Sequence, residues 1–306
     1  MAPPRRLVEE STVLVDGPWE HRDISANGVR LHVAELGSGP LVVLLHGFPE
    51  FWWSWRHQML ALAEGGYRAV APDLRGYGAS DKPPRGYDAL TLAADIAGLV
   101  RALGERDAIV VGHDWGAQIA WTMGAVHPGV VRRLVVASVP HPLRWLSALP
   151  RDGAQRRAST YIARFQLPWR PERWIVADDA ANVSELLHSW GGGEFPDPET
   201  ERRCRDAMQI LAAPHCALEY YRWAVRSVPR ADGRRYRQAM RRPVQAPTLQ
   251  LHGSADRCVL PASAAGSGRY VSAEYEWRVY DGLGHFPHEE APALVSEDIL
   301  RWCAGE

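Results

Sequence analysis

The stretch Ala108-Ile109-Val110-Val111-Gly112-His113-Asp114-Trp115-Gly116-Ala117 decides the fold. Its first four residues form a short, wholly apolar run, the pattern of a strand buried on both faces. Then comes Gly-x-Asp-x-Gly, and a helical pattern over 115–126 follows it. A strand that turns sharply through G-x-Nu-x-G into a helix is a nucleophile elbow. The turn lifts one side chain above the sheet edge, and glycines two before and two after avoid a clash. The lifted side chain is Asp114. On the pentapeptide alone, an ordinary strand–turn–helix connection with Asp114 as helix cap competes with this reading.

Outward from the elbow the same rhythm repeats. Upstream, Leu41-Val42-Val43-Leu44-Leu45 runs into His46-Gly47, a helical stretch spans 52–64, and Tyr67 to Pro72 reads as a strand. A helix is expected over 89–103, and a strand over 134–137 lies downstream. Apolar strands alternating with helices predict βαβ units and a parallel sheet covered on both faces. Residues 21–36 read as two strands around Asn27-Gly28, a type I′ hairpin signal. From 142 to 243 the rhythm stops. Helices broken by Gly191-Gly192-Gly193 and Pro196-Asp197-Pro198 carry 18 of the 34 Arg and five of the 13 Trp. Strand-like runs resume at 247–253 and 274–280, each followed by a helix. The expected organisation is a core of 1–141 and 244–306 with an inserted helical cap, 142–243, roofing the carboxyl ends of the strands.

Two more residues complete a hydrolase set in the chain order nucleophile, acid, histidine. Asp256 follows the strand ending Leu251-His252-Gly253, and His285 follows the next strand, so both belong to the rim that carries Asp114. A histidine there acts as general base, and a carboxylate fixes its tautomer. The amides of Phe48, after the strand ending at Leu45, and of Trp115 are the expected oxyanion hole. His288 and Glu289 lie close to His285 in the chain, but without a third ligand at recognisable spacing they do not make a metal site.

Composition narrows the classes. The 306 residues carry 35 basic and 36 acidic side chains, a net charge of −1, which gives no electrostatic footprint for nucleic acid or an anionic membrane. No apolar run of about 18 residues suggests a membrane span. The segment Met1 to Glu10 has charge and proline where a secretory signal needs an apolar core, so a cytoplasmic protein is expected. Four scattered cysteines, 204, 216, 258 and 303, read as free thiols. Gly266-Ser267-Gly268-Arg269 lacks the Lys-Ser/Thr of a phosphate loop, and no cofactor or metal is expected. Lys82, the single lysine, has no functional reading. Thirteen Trp exceed what a core of this size needs.

His46-Gly47-Phe48-Pro49-Glu50-Phe51-Trp52, Asp73-Leu74-Arg75-Gly76-Tyr77-Gly78-Ala79-Ser80-Asp81-Lys82-Pro83, Gly112-His113-Asp114-Trp115-Gly116 and Gly284-His285-Phe286-Pro287-His288-Glu289-Glu290 together resemble the α/β-hydrolase-fold epoxide hydrolases. The resemblance covers about residues 20 to 305. It implies an eight-stranded, mostly parallel sheet with the cap after strand six, and a cis Phe48–Pro49 bond. It also implies two cap tyrosines that donate O–H to the opening epoxide, Tyr161 and Tyr221, with Tyr220 as competitor for the second position.

The nucleophile narrows the chemistry independently. Serine attacking a saturated carbon would form an ether that activated water cannot cleave, whereas a carboxylate forms an ester that it can. Asp114 therefore points to displacement at an epoxide or carbon–halogen carbon. The alternative is a haloalkane or haloacetate dehalogenase. Trp115 is shared with the haloalkane enzymes, but Phe48 stands where they commonly have Asn or Glu, and no arginine near the elbow could grip a haloacetate carboxylate. A catalytically silent binding protein would have no use for three costly polar residues. The expected partners are a small apolar epoxide and water, with no nucleic acid and no membrane, in a monomer or a homodimer. Phe48, Trp53 and Trp115 are the expected substrate-binding residues, and several among Trp52, Trp53, Trp55, Trp115 and the five cap tryptophans are expected to line an apolar pocket around Asp114.

Overall fold

The computed structural model describes residues 8–305; Met1 to Leu7, most of the segment read above for a signal, lie outside them. Eight strands form one sheet in the order β1-β2-β4-β3-β5-β6-β7-β8. Their spans are β1 Glu20–Ala26, β2 Val29–Leu36, β3 Leu41–Leu45, β4 Arg68–Pro72, β5 Ala108–His113, β6 Val131–Ala137, β7 Thr248–Gly253 and β8 Tyr275–Tyr280. Strand β2 is antiparallel to both its neighbours, and β3 to β8 run parallel. The β1–β2 turn has positive φ at Asn27 (48°) and Gly28 (79°), as a type I′ hairpin requires.

The apolar runs became strands because both faces are covered. In β3, Leu41, Val43 and Leu45 join one core cluster, whereas Val42 and Leu44 join the other. Strand β5 divides the same way, Val110 to one side and Ile109 and Val111 to the other. Covering helices are α1 Arg56–Glu64, α2 Ala89–Ala102 and α3 Trp115–Val126. Asp88 caps α2 by accepting from the Thr91 amide. The helix expected from 52 begins instead as a 3-10 turn, Trp52–Trp55.

Between β6 and β7 the described chain forms the helices α4 Pro142–Ala148, α5 Gly153–Ala158, α6 Thr160–Phe165, α7 Arg170–Trp190, α8 Pro198–Ala207, α9 Ala213–Arg226 and α10 Ala231–Ala239 and contains no named strand. After β7 the expected helix is reduced to α11 Pro261–Ala264 and a 3-10 turn, Ser267–Tyr270, because Gly266 (φ 87°) reverses the chain between them. After β8 come α12 Pro287–Glu290 and α13 Pro292–Ala304. No helix among the described residues is long and apolar enough to cross a membrane. The four cysteines are free and buried. Lys82 has a structural role, its Nζ donating to Glu10, Gly78 O and Ser80 O.

Candidate active site

Asp114 leaves β5 with φ 48° and ψ −115°, a strained conformation for a residue with a Cβ. Close backbone crossings make the elbow. A Cβ on Gly116 would lie 2.0 Å from Leu45 O, and one on Gly112 would lie 2.3 Å from Gly116 O. Gly47 is required from the other side, because its Cβ would meet Asp114 Cβ at 2.4 Å. The helix-cap alternative is not realised, since the Asp114 side chain makes no cap hydrogen bond to α3. Its Oδ1 instead accepts from the Phe48 amide at 2.8 Å. Phe48 precedes Pro49 through a cis bond. Trp115 opens α3, where the first amide of a helix has no intrahelical partner.

Loops after β7 and β8 bring the other two groups to the same rim. Asp256 Oδ1 accepts from the Cys258 and Val259 amides at 2.8 and 2.9 Å, and its Oδ2 is 2.8 Å from His285 Nδ1. His285 Nε2 then faces Asp114, 3.6 Å from Oδ2. Burial opposes a charge on His285, but the Asp256 carboxylate outweighs it and holds the imidazole pKa well above the usual histidine range. Burial likewise opposes the Asp256 charge, which His285 and His252 nonetheless hold below the normal carboxylate range.

An aromatic chamber covers Asp114. Phe48 packs edge-on to Phe165 and Tyr221, and Tyr161 lies 5.0 Å from Trp190, whose ring is 5.8 Å from His285. Trp115 meets Tyr221 perpendicularly at 4.9 Å, and Tyr161 meets Tyr221 at 5.9 Å. Tyr161 Oη contacts Cys258 Sγ at 3.4 Å, and the buried Tyr221 Oη and Trp115 Nε1 have no hydrogen-bond partner among the described residues. Burial, reinforced at Tyr161 by Cys258, Tyr221 and Asp114 and at Tyr221 by the Asp114 charge, holds both phenols well above the usual tyrosine pKa, so they stay protonated. Tyr220 points elsewhere: its hydroxyl donates to Arg75 O at 2.7 Å.

Three expected pocket tryptophans lie apart from this chamber. Trp52, Trp53 and Trp55 belong to the cluster on the other side of the sheet, because the 3-10 turn carries the chain down that face. Trp53 packs on Trp19 and Trp52 between the guanidinium groups of Arg56 (4.9 Å) and Arg203 (4.4 Å), so the substrate-binding expectation for it is corrected. Trp115 and Trp190, at the end of α7, stand in the chamber instead.

Other residues at the site were given no catalytic role by the sequence, although Glu50, His113, His288 and Glu289 stand inside the motifs quoted above. His113, inside the elbow, sets Nε2 2.7 Å from His285 O and Nδ1 2.8 Å from Glu50. Ser138 donates to the same carbonyl at 2.7 Å, so the His285 carbonyl is held twice. Glu50, His113 and His288 bring ligand-type atoms within 4.8 Å of one another. Both His113 nitrogens are already engaged, Trp55 covers His288 at 4.4 Å, and His288 Nε2 lies 3.4 Å from Glu50. Glu289 pairs with Arg56 at 2.6 Å.

Sheet order, elbow and triad geometry define an α/β hydrolase, and a family model for the alpha/beta hydrolase fold matches residues 40–292. The chain is 34% identical over 284 residues to the AB hydrolase superfamily protein YfhM of Bacillus subtilis, covering 91% of this chain and 96% of that one. It is 31% identical over 285 residues to human Epoxide hydrolase 4, covering 90% of this chain and 76% of the relative. The Bacillus megaterium epoxide hydrolase, solved with an inhibitor, superposes with a TM-score of 0.82 at 26% identity, covering 92% of this chain and 100% of that one. The chain belongs to the epoxide hydrolase family of α/β hydrolases.

Proposed function

We propose that this protein converts an apolar epoxide and water to a vicinal diol through an ester on Asp114. One observation carries the reading: two protonated phenols, the partly buried Tyr161 and the buried Tyr221, cover a carboxylate whose Oδ1 is already held by the Phe48 amide. Asp114 Oδ2 attacks a ring carbon, the C–O bond breaks, and the departing oxygen takes a proton from a cap tyrosine. His285, oriented by Asp256, then takes a proton from water as that water adds to Asp114 Cγ. Oδ1 becomes the oxyanion, facing the Phe48 and Trp115 amides. Collapse expels the diol oxygen, which takes the His285 proton, and the new carboxyl proton returns to the tyrosinate. Residues 142–243 serve as the cap that excludes water and delivers the tyrosines.

Mixing a His285→Gln variant with styrene oxide tests this, because ester formation no longer leads to hydrolysis. The expected result is added mass on Asp114. Epoxide hydrolysis at the unmodified rate by both His285→Gln and Asp114→Asn overturns the mechanism. The buried, unpartnered Trp115 Nε1 favours a second reading, halide displacement. Halide release from a haloalkane without diol formation from an epoxide would select it.

A further inference from the structure

Gln155 on α5 is fully buried, and its amide bridges the cap and the acid loop. Nε2 donates to Cys258 O at 2.9 Å, and Oε1 accepts from the Leu260 amide at 2.7 Å. The side chain thus pairs with the loop as a neighbouring strand would. The same loop wraps the Asp256 carboxylate through the Cys258 and Val259 amides, and that carboxylate orients His285. On the cap side, Gln155 Nε2 also donates to Ser159 Oγ at 3.0 Å, one residue before α6, which carries Tyr161. Tyr161 Oη in turn touches Cys258 Sγ at 3.4 Å. A second tie runs parallel, with Ser263 Oγ donating to Asp152, the cap residue of α5.

We propose that Gln155 is a positioning residue that sets the Tyr161 hydroxyl against Asp114 by locking α5 and α6 to the Asp256–Leu260 loop. The inference rests on the epoxide reading, in which Tyr161 acts during ring opening and not during ester hydrolysis. Removing the amide leaves Cys258 O and the Leu260 N–H buried without partners, so the loop and helix separate. A displacement of about 1 Å at an acid is enough to cost on the order of 10²-fold in rate.

The test uses the full chain in the His285→Gln background, with styrene oxide and quenched-flow mass analysis of the Asp114 adduct. Gln155→Met, which keeps the length and removes both hydrogen bonds, is expected to slow adduct formation roughly ten- to a hundredfold. Added to Tyr161→Phe, the same change is expected to cost less than about twofold, because the positioned group is gone. With His285 intact, decay of the ester is expected to stay within about twofold. Undiminished adduct formation, equal losses with and without the Tyr161 hydroxyl, or parallel losses in formation and decay would each overturn the proposal. Should Gln155→Met fail to fold, Gln155→Glu, which keeps the acceptor for Leu260, is read on the same rates with the same outcomes. Absence of any adduct in the His285→Gln parent would instead sink the epoxide reading itself.

Discussion

His285 Nε2 stands 3.6 Å from Asp114 Oδ2, while His285 Nδ1 is 2.8 Å from Asp256. The first separation exceeds a hydrogen bond and the second is a short one. His285 is therefore anchored to Asp256 and merely near Asp114, and in the proposed mechanism this leaves Oδ2 free to attack. Oδ1, held by Phe48, is the oxygen that the proposed mechanism makes the carbonyl of an ester.

This arrangement predicts a pH profile. Burial works against the His285 charge, but Asp256, then Cys258 and then Asp114 hold its pKa well above the ordinary histidine value. A base must be neutral, so ester hydrolysis rises with pH through that raised pKa and is slow below it. Esterification removes the Asp114 charge, so the His285 pKa falls in the intermediate and the profile lies at lower pH than the free-enzyme titration. Stopped-flow decay of the ester against an NMR titration of His285 checks this. A flat profile from roughly pH 6 to pH 10 would remove His285 as the base.

The adjacent tyrosines separate by role. Tyr161→Phe and Tyr221→Phe are each expected to slow ester formation on the order of 10²-fold. Tyr220→Phe loses its hydrogen bond to Arg75 O and about 1 kcal/mol of stability, with ester formation nearly unchanged. Single-turnover rates and chemical denaturation of the three variants decide it, and a rate loss confined to Tyr220→Phe would reverse the assignment.

Two glycines should respond differently to alanine. Gly116→Ala would set a Cβ 2.0 Å from Leu45 O, a backbone atom of a central strand, so a loss of about 3 kcal/mol or more is expected. Gly28→Ala meets nothing within 4 Å and carries only the strain of its positive φ, about 1 kcal/mol. Urea midpoints compare the two. Equal losses would mean that the elbow crossing tolerates a side chain.

Acid should destabilise the fold through histidines buried as neutral rings. Burial lowers His288 to about 4 and His141 to about 3. Unfolding returns each to an ordinary value near 6.5, so the unfolded chain binds more protons between the two values and stability falls as pH drops through that window. His288 alone accounts for on the order of 3 kcal/mol by pH 4. Thermal unfolding followed from pH 7 to about pH 4.5 should show a falling midpoint, with a shallower slope for His288→Asn; an unchanged midpoint contradicts the account.

The local parts of this molecule were legible in its residues. Alternation of apolar runs with helices, the Gly112–Gly116 turn and the hairpin at Asn27-Gly28 each depend on a few neighbouring residues whose backbone sterics admit few solutions. Asp256 and His285 were readable for a related reason: each occupies the loop just past a parallel strand, and parallel strands bring such loops to one rim.

Tertiary structure alone decided what depends on helix rotation and on contacts between distant segments. Consecutive residues on a helix point about 100° apart, so a run of adjacent tyrosines does not say which one meets Asp114, and packing of α9 turned Tyr221 inward and Tyr220 toward Arg75. A 3-10 turn sent Trp52, Trp53 and Trp55 to the far face of the sheet, while Trp190, distant in sequence, came to stand beside His285. The bridge from Gln155 to Cys258 and Leu260 spans more than a hundred residues of chain, and no local pattern could signal it. Strand and turn sterics act over a few residues, whereas the environment of a side chain is set by whatever the completed fold packs against it.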